Sequence, residues 1–195
     1  MAAPGPAAGE RPRLRADARR NVEGIRQAAL GVFRERGFGT ALDDVARAAG
    51  VSKGTVYHRF GGRQGLIDAV VEELVGDRIE EILAAAAERD DPAEALETYL
   101  RRVWMLQFDE PAVNDVLLRA HPESRKLAAL CERARAFGGD LLVTAQDEGT
   151  VRADLTPEDL YALIWERGLV ARASGRPSRA DYERRLDYVI DGIRA

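Results

Sequence analysis

Residues 42–66, L-D-D-V-A-R-A-A-G-V-S-K-G-T-V-Y-H-R-F-G-G-R-Q-G-L, hold two short helical patterns joined at one glycine, and this spacing constrains the chain more than any other feature. Leu42, Val45, Ala46 and Ala49 share one face at helical spacing. Gly50 ends that pattern, because glycine enters the left-handed region without a Cβ clash. Val51 is expected as a buried hinge, and Ser52 as the N-cap of a second short helix over 53–60. Two helices meeting at so tight a turn make a helix-turn-helix unit, whose second helix is the one that lies in a DNA major groove.

The charge distribution agrees with a nucleic-acid role confined to one end. Residues 1–65 carry twelve Lys/Arg against six Asp/Glu, a balance of +6, so the remainder must carry −10 to reach the chain's net −4. A basic third on an acidic body is the asymmetry expected when only that third meets phosphate. Ala, Leu, Arg and Glu are abundant and β-branched runs scarce, which favours an all-α fold. One cysteine, Cys131, allows no disulfide within the chain and suits a reducing cytoplasm. No apolar run approaches the roughly 20 residues that span a bilayer. The first fifteen residues lack the apolar segment of a signal peptide, so no membrane partner is expected.

Along the chain, 1–15 reads as a disordered basic arm. With Arg11, Arg13, Arg15, Arg19 and Arg20, this end is either a solvated tail or a segment that reaches phosphates or a minor groove. A first long helix is expected over 16–36, striped by Val22, Ile25, Ala29, Val32 and Phe33 and ended by Gly37. Thr40, with Asp43 three residues on, reads as the cap of the next helix. Residues 16–62 thus form a three-helix head, and 63–88 a connector helix that Gly76 bends. Helices over 92–108, 111–119, 122–148, 156–173 and 178–193 complete a body spanning 63–195. Asp91, Thr156 and Ser178 are their N-caps, with Pro92, Pro111, Pro122 and Pro157 near helix starts. Nine helices in two domains result.

This chain resembles the TetR family of bacterial transcriptional regulators. The resemblance rests on A-A-L-G-V-F-R-E-R-G-F (28–38), D-D-V-A-R-A-A-G-V-S-K-G-T-V-Y-H-R-F (43–60) and the F-G-G-R-Q-G-L spacing up to Leu66. It implies a nine-helix, two-domain architecture with a DNA-binding head and a ligand-binding, dimerising body. Three details depart from the usual pattern: a link from Gly37 to Asp43 one residue short, Arg63 in place of lysine, and Gln64-Gly65 after it. They fall on backbone contacts, so phosphate grip is the part expected to differ, since an arginine fork and a lysine point charge are not equivalent.

In the second helix of the motif Val56 and Phe60 should face inward, leaving Lys53, Gly54, Thr55, Tyr57, His58 and Arg59 outward or sideways. Gly54 and Thr55 are small enough for the helix start to approach DNA, where backbone N–H groups favour phosphate. The resemblance implies DNA contacts at Thr40, Ser52, Lys53, Gly54, Thr55, Tyr57, His58 and Arg63. The plainer alternatives are caps for Thr40 and Ser52, edge packing for Tyr57 and a solvated ring for His58.

The body offers no catalytic constellation. His121 is the only histidine outside the head, and clusters of His and Cys that would hold a metal are absent, so neither enzyme activity nor a cofactor is expected. Trp104, Met105, Phe108, Phe137, Tyr161 and Trp165 are the best candidates for the walls of an effector pocket, and core packing is their plainer reading. By resemblance, the last two helices should pair with a second copy through Gly168, Ala171, Tyr182, Leu186, Val189 and Ile193. A two-fold dimer would set two recognition helices about one DNA turn (~34 Å) apart on a near-palindromic operator. The leading expectation is a cytoplasmic bacterial repressor released from its operator by a small molecule. The alternatives are a DNA-binding regulator gated by a protein partner and, less favoured, a helical enzyme or carrier.

Overall fold

The computed structural model describes residues 10–117, 125–173, 175 and 177–195, with the side chains of 10–17, 72 and 127 left aside. Apart from one isolated bridge between Val151 and Arg194, the described elements are all helical. The head is α1 (Glu10–Arg36), α2 (Leu42–Ala48) and α3 (Lys53–Phe60). The connector is α4 (Arg63–Val71), a π-helical turn (Glu72–Gly76) and α5 (Asp77–Ala87). The body continues with α6 (Pro92–Asp109), α7 (Pro111–Leu117), α8 (Arg125–Asp147), α9 (Pro157–Arg172) and α10 (Arg179–Ile193). Ten α-helices stand among the described residues where nine were expected, because the π turn ending at Gly76 divides the connector. The expected start of the long helix at His121 and Pro122 lies outside the described residues, as does the arm over 1–9.

Local chemistry accounts for most of the boundaries. Asp91 accepts from the Glu94 N–H at 2.9 Å, with Pro92 in the first turn of α6. Thr156 and Asp159 form a reciprocal capping box on α9, and Ser178 accepts from the Asp181 N–H on α10. Two expectations are corrected. The first helix covers Glu10–Arg36, so residues 10–15, expected in the arm, are helical backbone. Thr40 does not cap α2. Ala41 takes the N-cap position, while the buried Thr40 donates from both its N–H and its hydroxyl to the Gly37 carbonyl, at 3.3 and 2.9 Å. That turn points the hydroxyl away from the helix start.

Ile25, Ala29, Leu30 and Phe33 on α1 meet Leu42, Val45 and Ala46 on α2, Val56 on α3 and Leu66 on α4 in the head's core. Phe33 and Phe38 pack edge to face at 5.2 Å. In the body, α6 is central, packed by α5, α7, α8, α9 and α10. Gly138 lets α8 approach closely, since a Cβ there would lie 2.6 Å from the Tyr99 ring. Helix α7 packs on both α6 and α1, which joins the body directly to the head.

Candidate nucleic-acid interface

Helix α3 is positioned by glycines and one cap. Gly50 adopts φ 66° and lets the chain turn, with the Val51 N–H bonded to the Ala46 carbonyl at 3.0 Å. Ser52 then accepts from the Thr55 N–H at 3.1 Å, and its hydroxyl meets that of Thr55 at 2.9 Å. At the other end Gly61, at φ 71°, closes α3 onto the Tyr57 carbonyl. Val56 is fully buried and anchors the helix, whereas Ser52, Lys53, Gly54, Tyr57, His58 and Arg59 are exposed, and Thr55 is half-buried. The expected buried hinge, Val51, is half-buried.

Tyr57 is 53% exposed, yet its ring is seated: a Cβ on Gly62 would lie 2.9 Å from the Tyr57 Cε1. Gly65 is required more strictly, because a Cβ there would fall 1.7 Å from the Phe60 carbonyl oxygen. The unusual Gln64-Gly65 pair therefore belongs to the close passage of α4 beside the end of α3. Arg63 donates to the Thr40 carbonyl at 2.5 Å and is half-buried, so it ties the α1–α2 turn to α4. Lys53, for which the sequence suggests no structural role, has one: its Nζ lies 2.8 Å from Asp43 Oδ2 in an exposed pair between α2 and α3. The hydrogen bond to Asp43 raises the Lys53 pKa above its ordinary value.

The expected pocket residues differ in their surroundings. Trp104 and Phe108 are buried in the core, where Phe108 stacks obliquely on Tyr182 at 4.7 Å. Trp165 is 42% exposed, and Met105 and Phe137 are half-buried in the core's margin. Of the six, Tyr161 alone lines the small cavity among α6, α8 and α9, beside Tyr99, Cys131 and Gly138. That cavity holds about 20 Å³, room for roughly one water. The residues expected at a subunit face lie mostly inside the chain. Gly168, Ala171, Tyr182, Leu186 and Ile193 are buried within the chain and Val189 is half-buried, because this amphipathic face packs on its own body. Tyr182 shows how: its hydroxyl reaches the Trp104 and Arg167 carbonyls, and burial pushes its pKa up to about 12. The large apolar side chains left outside on α9 and α10 are Trp165, Leu169 and Tyr188.

One feature of the head–body seam escapes sequence reasoning. Asp115 on α7 is buried; it accepts from the Phe38 N–H at 2.6 Å and pairs with the Arg172 guanidinium of α9. Arg172 also donates to the Pro111 carbonyl at 3.2 Å. The available signal was the polar pair Asn114-Asp115 inside the short apolar helix P-A-V-N-D-V-L. Among the described residues no group of three or more His, Cys, Asp and Glu is placed to hold a metal, and no helix is long and apolar enough to cross a membrane.

Two family models match. Residues 25–70 match the bacterial regulatory proteins of the tetR family, and residues 91–195 the C-terminal domain of SbtR-like transcriptional regulators. Among curated relatives, the repressor KstR2 of Rhodococcus jostii is 32% identical over 177 residues, covering 85% of this chain and 87% of that protein. The regulatory protein RaaS of Mycobacterium tuberculosis is 43% identical over 86 residues, which span 44% of this chain and 36% of that protein. The solved TetR regulator SCO0520 of Streptomyces coelicolor is 33% identical, covers 89% of this chain and 98% of that one, and superposes with a TM-score of 0.53. With both its head and its body matched, the chain belongs to the TetR family of transcriptional regulators, helix-turn-helix DNA-binding proteins and not enzymes.

Proposed function

We propose that this protein is a dimeric repressor that grips a near-palindromic operator through α3 and lets go when a small molecule binds its body. The observation that carries the reading is the exposed edge of α3, where Lys53, Gly54, Tyr57 and His58 stand on a helix anchored by Val56 and capped by Ser52. Lys53, Thr55, Tyr57 and His58 contact phosphates and base edges. Ser52 and Gly54 let the helix N-terminus come close to a phosphate. Thr40 and Arg63 act on the backbone grip indirectly, through the turn they hold together. Repression fits the relative KstR2, which is named a repressor. The second copy packs on the face of α9 and α10 that bears Trp165, Leu169 and Tyr188.

Release follows from the seam. Helix α7 touches both α1 and the body, and Asp115 bonds the turn that leads into α2. A ligand that favours another placement of α7 or α9 shifts the population toward a head spacing that no longer fits two half-sites. The reading is tested with Lys53→Ala combined with Tyr57→Ala, both exposed positions, in a mobility-shift titration at several salt concentrations. Operator binding is lost while circular dichroism is unchanged, and wild-type affinity falls steeply with salt. Unchanged binding by the double variant would sink the reading.

A further inference from the structure

A polar cleft of about 210 Å³ opens where head meets body, away from the α6–α8–α9 cavity. Glu35 and Arg36 from the end of α1, Gln107 from α6, Pro111 from α7 and Arg172 from α9 line it. Gln107 is 2% exposed, and neither its Oε1 nor its Nε2 has a hydrogen-bond partner. Roughly nine in ten buried polar groups in folded proteins are bonded. An amide left open on both atoms in the wall of a charged cleft therefore marks a place where something else supplies the bonds.

We propose that this cleft binds a small zwitterionic amino acid. The weakly paired Arg36 guanidinium and the Gln107 Nε2 call for an anionic acceptor, beside Arg172, whose guanidinium is already shared with Asp115. Arg36 has only a 3.5 Å contact with Asp44, and more than half of its side chain is exposed. The Gln107 Oε1 and the Glu35 carboxylate call for a cationic donor. A carboxylate alone leaves the second pair unmatched, and an amine alone leaves the first. At about 210 Å³ the cleft has room for a molecule the size of a compact amino acid. Phe108 and Ala171 supply an apolar wall for its side chain.

The consequence for the seam is direct. A ligand carboxylate on Arg172 competes with Asp115, the group that also holds the Phe38 N–H. This step deepens the ligand-released reading and rests on it; binding itself does not, so it is measured on the full-length chain without DNA.

The experiment is isothermal calorimetry with the standard amino acids up to about 10 mM. Each amino acid that binds is compared with its deaminated carboxylate and its decarboxylated amine, as L-alanine with propionate and ethylamine. At least one amino acid binds about tenfold or more tightly than both analogues. Gln107→Leu, which replaces the unpaired amide by an apolar group of similar size, and Arg36→Gln at the exposed rim each weaken that binding about tenfold. Either variant suffices should the other misfold. Absence of binding by every amino acid, equal binding of an analogue, or wild-type binding by a folded variant would overturn the proposal. Operator binding by the Lys53 and Tyr57 variant is a separate measurement, so failure of the amino-acid site and failure of the repressor reading are distinguishable.

Discussion

Asp115 in the body accepts a hydrogen bond at 2.6 Å from the backbone N–H of Phe38 in the head. The two residues are 77 apart in the chain, and the carboxylate is nearly buried, 7% exposed. A buried carboxylate persists only when its lone pairs are met, and the Phe38 N–H and the Arg172 guanidinium do so here. Gly37 adapts the turn to this approach, since a Cβ there would lie 2.5 Å from the Asp115 Oδ2.

Asp115→Ala removes the acceptor of the Phe38 N–H and the carboxylate partner of Arg172. The expected cost is about 2–4 kcal/mol in urea unfolding. The response of operator binding to ligand should weaken as well, because α7 would no longer hold the α1–α2 turn. A stability change near zero would contradict the seam as described.

Gly61 and Gly62 are adjacent, and both have positive φ, but their substitutions should differ. Around Gly61 a Cβ meets nothing within 4 Å, so Gly61→Ala carries only backbone strain, about 1–2 kcal/mol. At Gly62, φ is 104° and the Cβ would meet the Tyr57 ring. Gly62→Ala should therefore lower operator affinity about tenfold beyond Gly61→Ala, read by mobility shift, because it moves a side chain of the proposed binding surface.

Asp43→Asn frees Lys53 from its pair. Affinity for random-sequence duplex DNA should rise about two- to fivefold at low salt, and the gain should vanish as salt screens the surface. A decrease would mean that Asp43 is needed to hold Lys53 in its bound position.

Trp165→Glu with Leu169→Glu should convert the proposed dimer to a monomer in sedimentation velocity without loss of helix. Both side chains are more than 40% exposed, so the fold of the single chain does not depend on them. Operator affinity should fall sharply, because two half-sites would then be bound independently.

What the sequence made legible was local. The Gly50 turn, the Ser52, Asp91, Thr156 and Ser178 caps and the buried Val56 each follow from a residue and its near neighbours. Contacts between distant segments were not legible. Thr40 looked like a cap because nothing nearby shows that Gly37 claims its hydroxyl. Lys53 looked free because Asp43 lies ten residues away on another helix. The stripe of Tyr182, Leu186 and Ile193 announces a buried face but not what buries it, and the chain's own α6 does so where a second copy was expected. The same blindness hid Gln107 and Asp115, whose roles depend on what α1 and α9 bring beside them.

The central claim is that α3 reads DNA as one half of a symmetric pair. Selection of bound duplexes from a random-sequence pool tests it most directly. The account predicts an enriched near-palindrome, its half-sites about one helical turn apart and its enrichment lost with Lys53→Ala and Tyr57→Ala. A pool with no enriched sequence, or a consensus that survives the double variant, would contradict it.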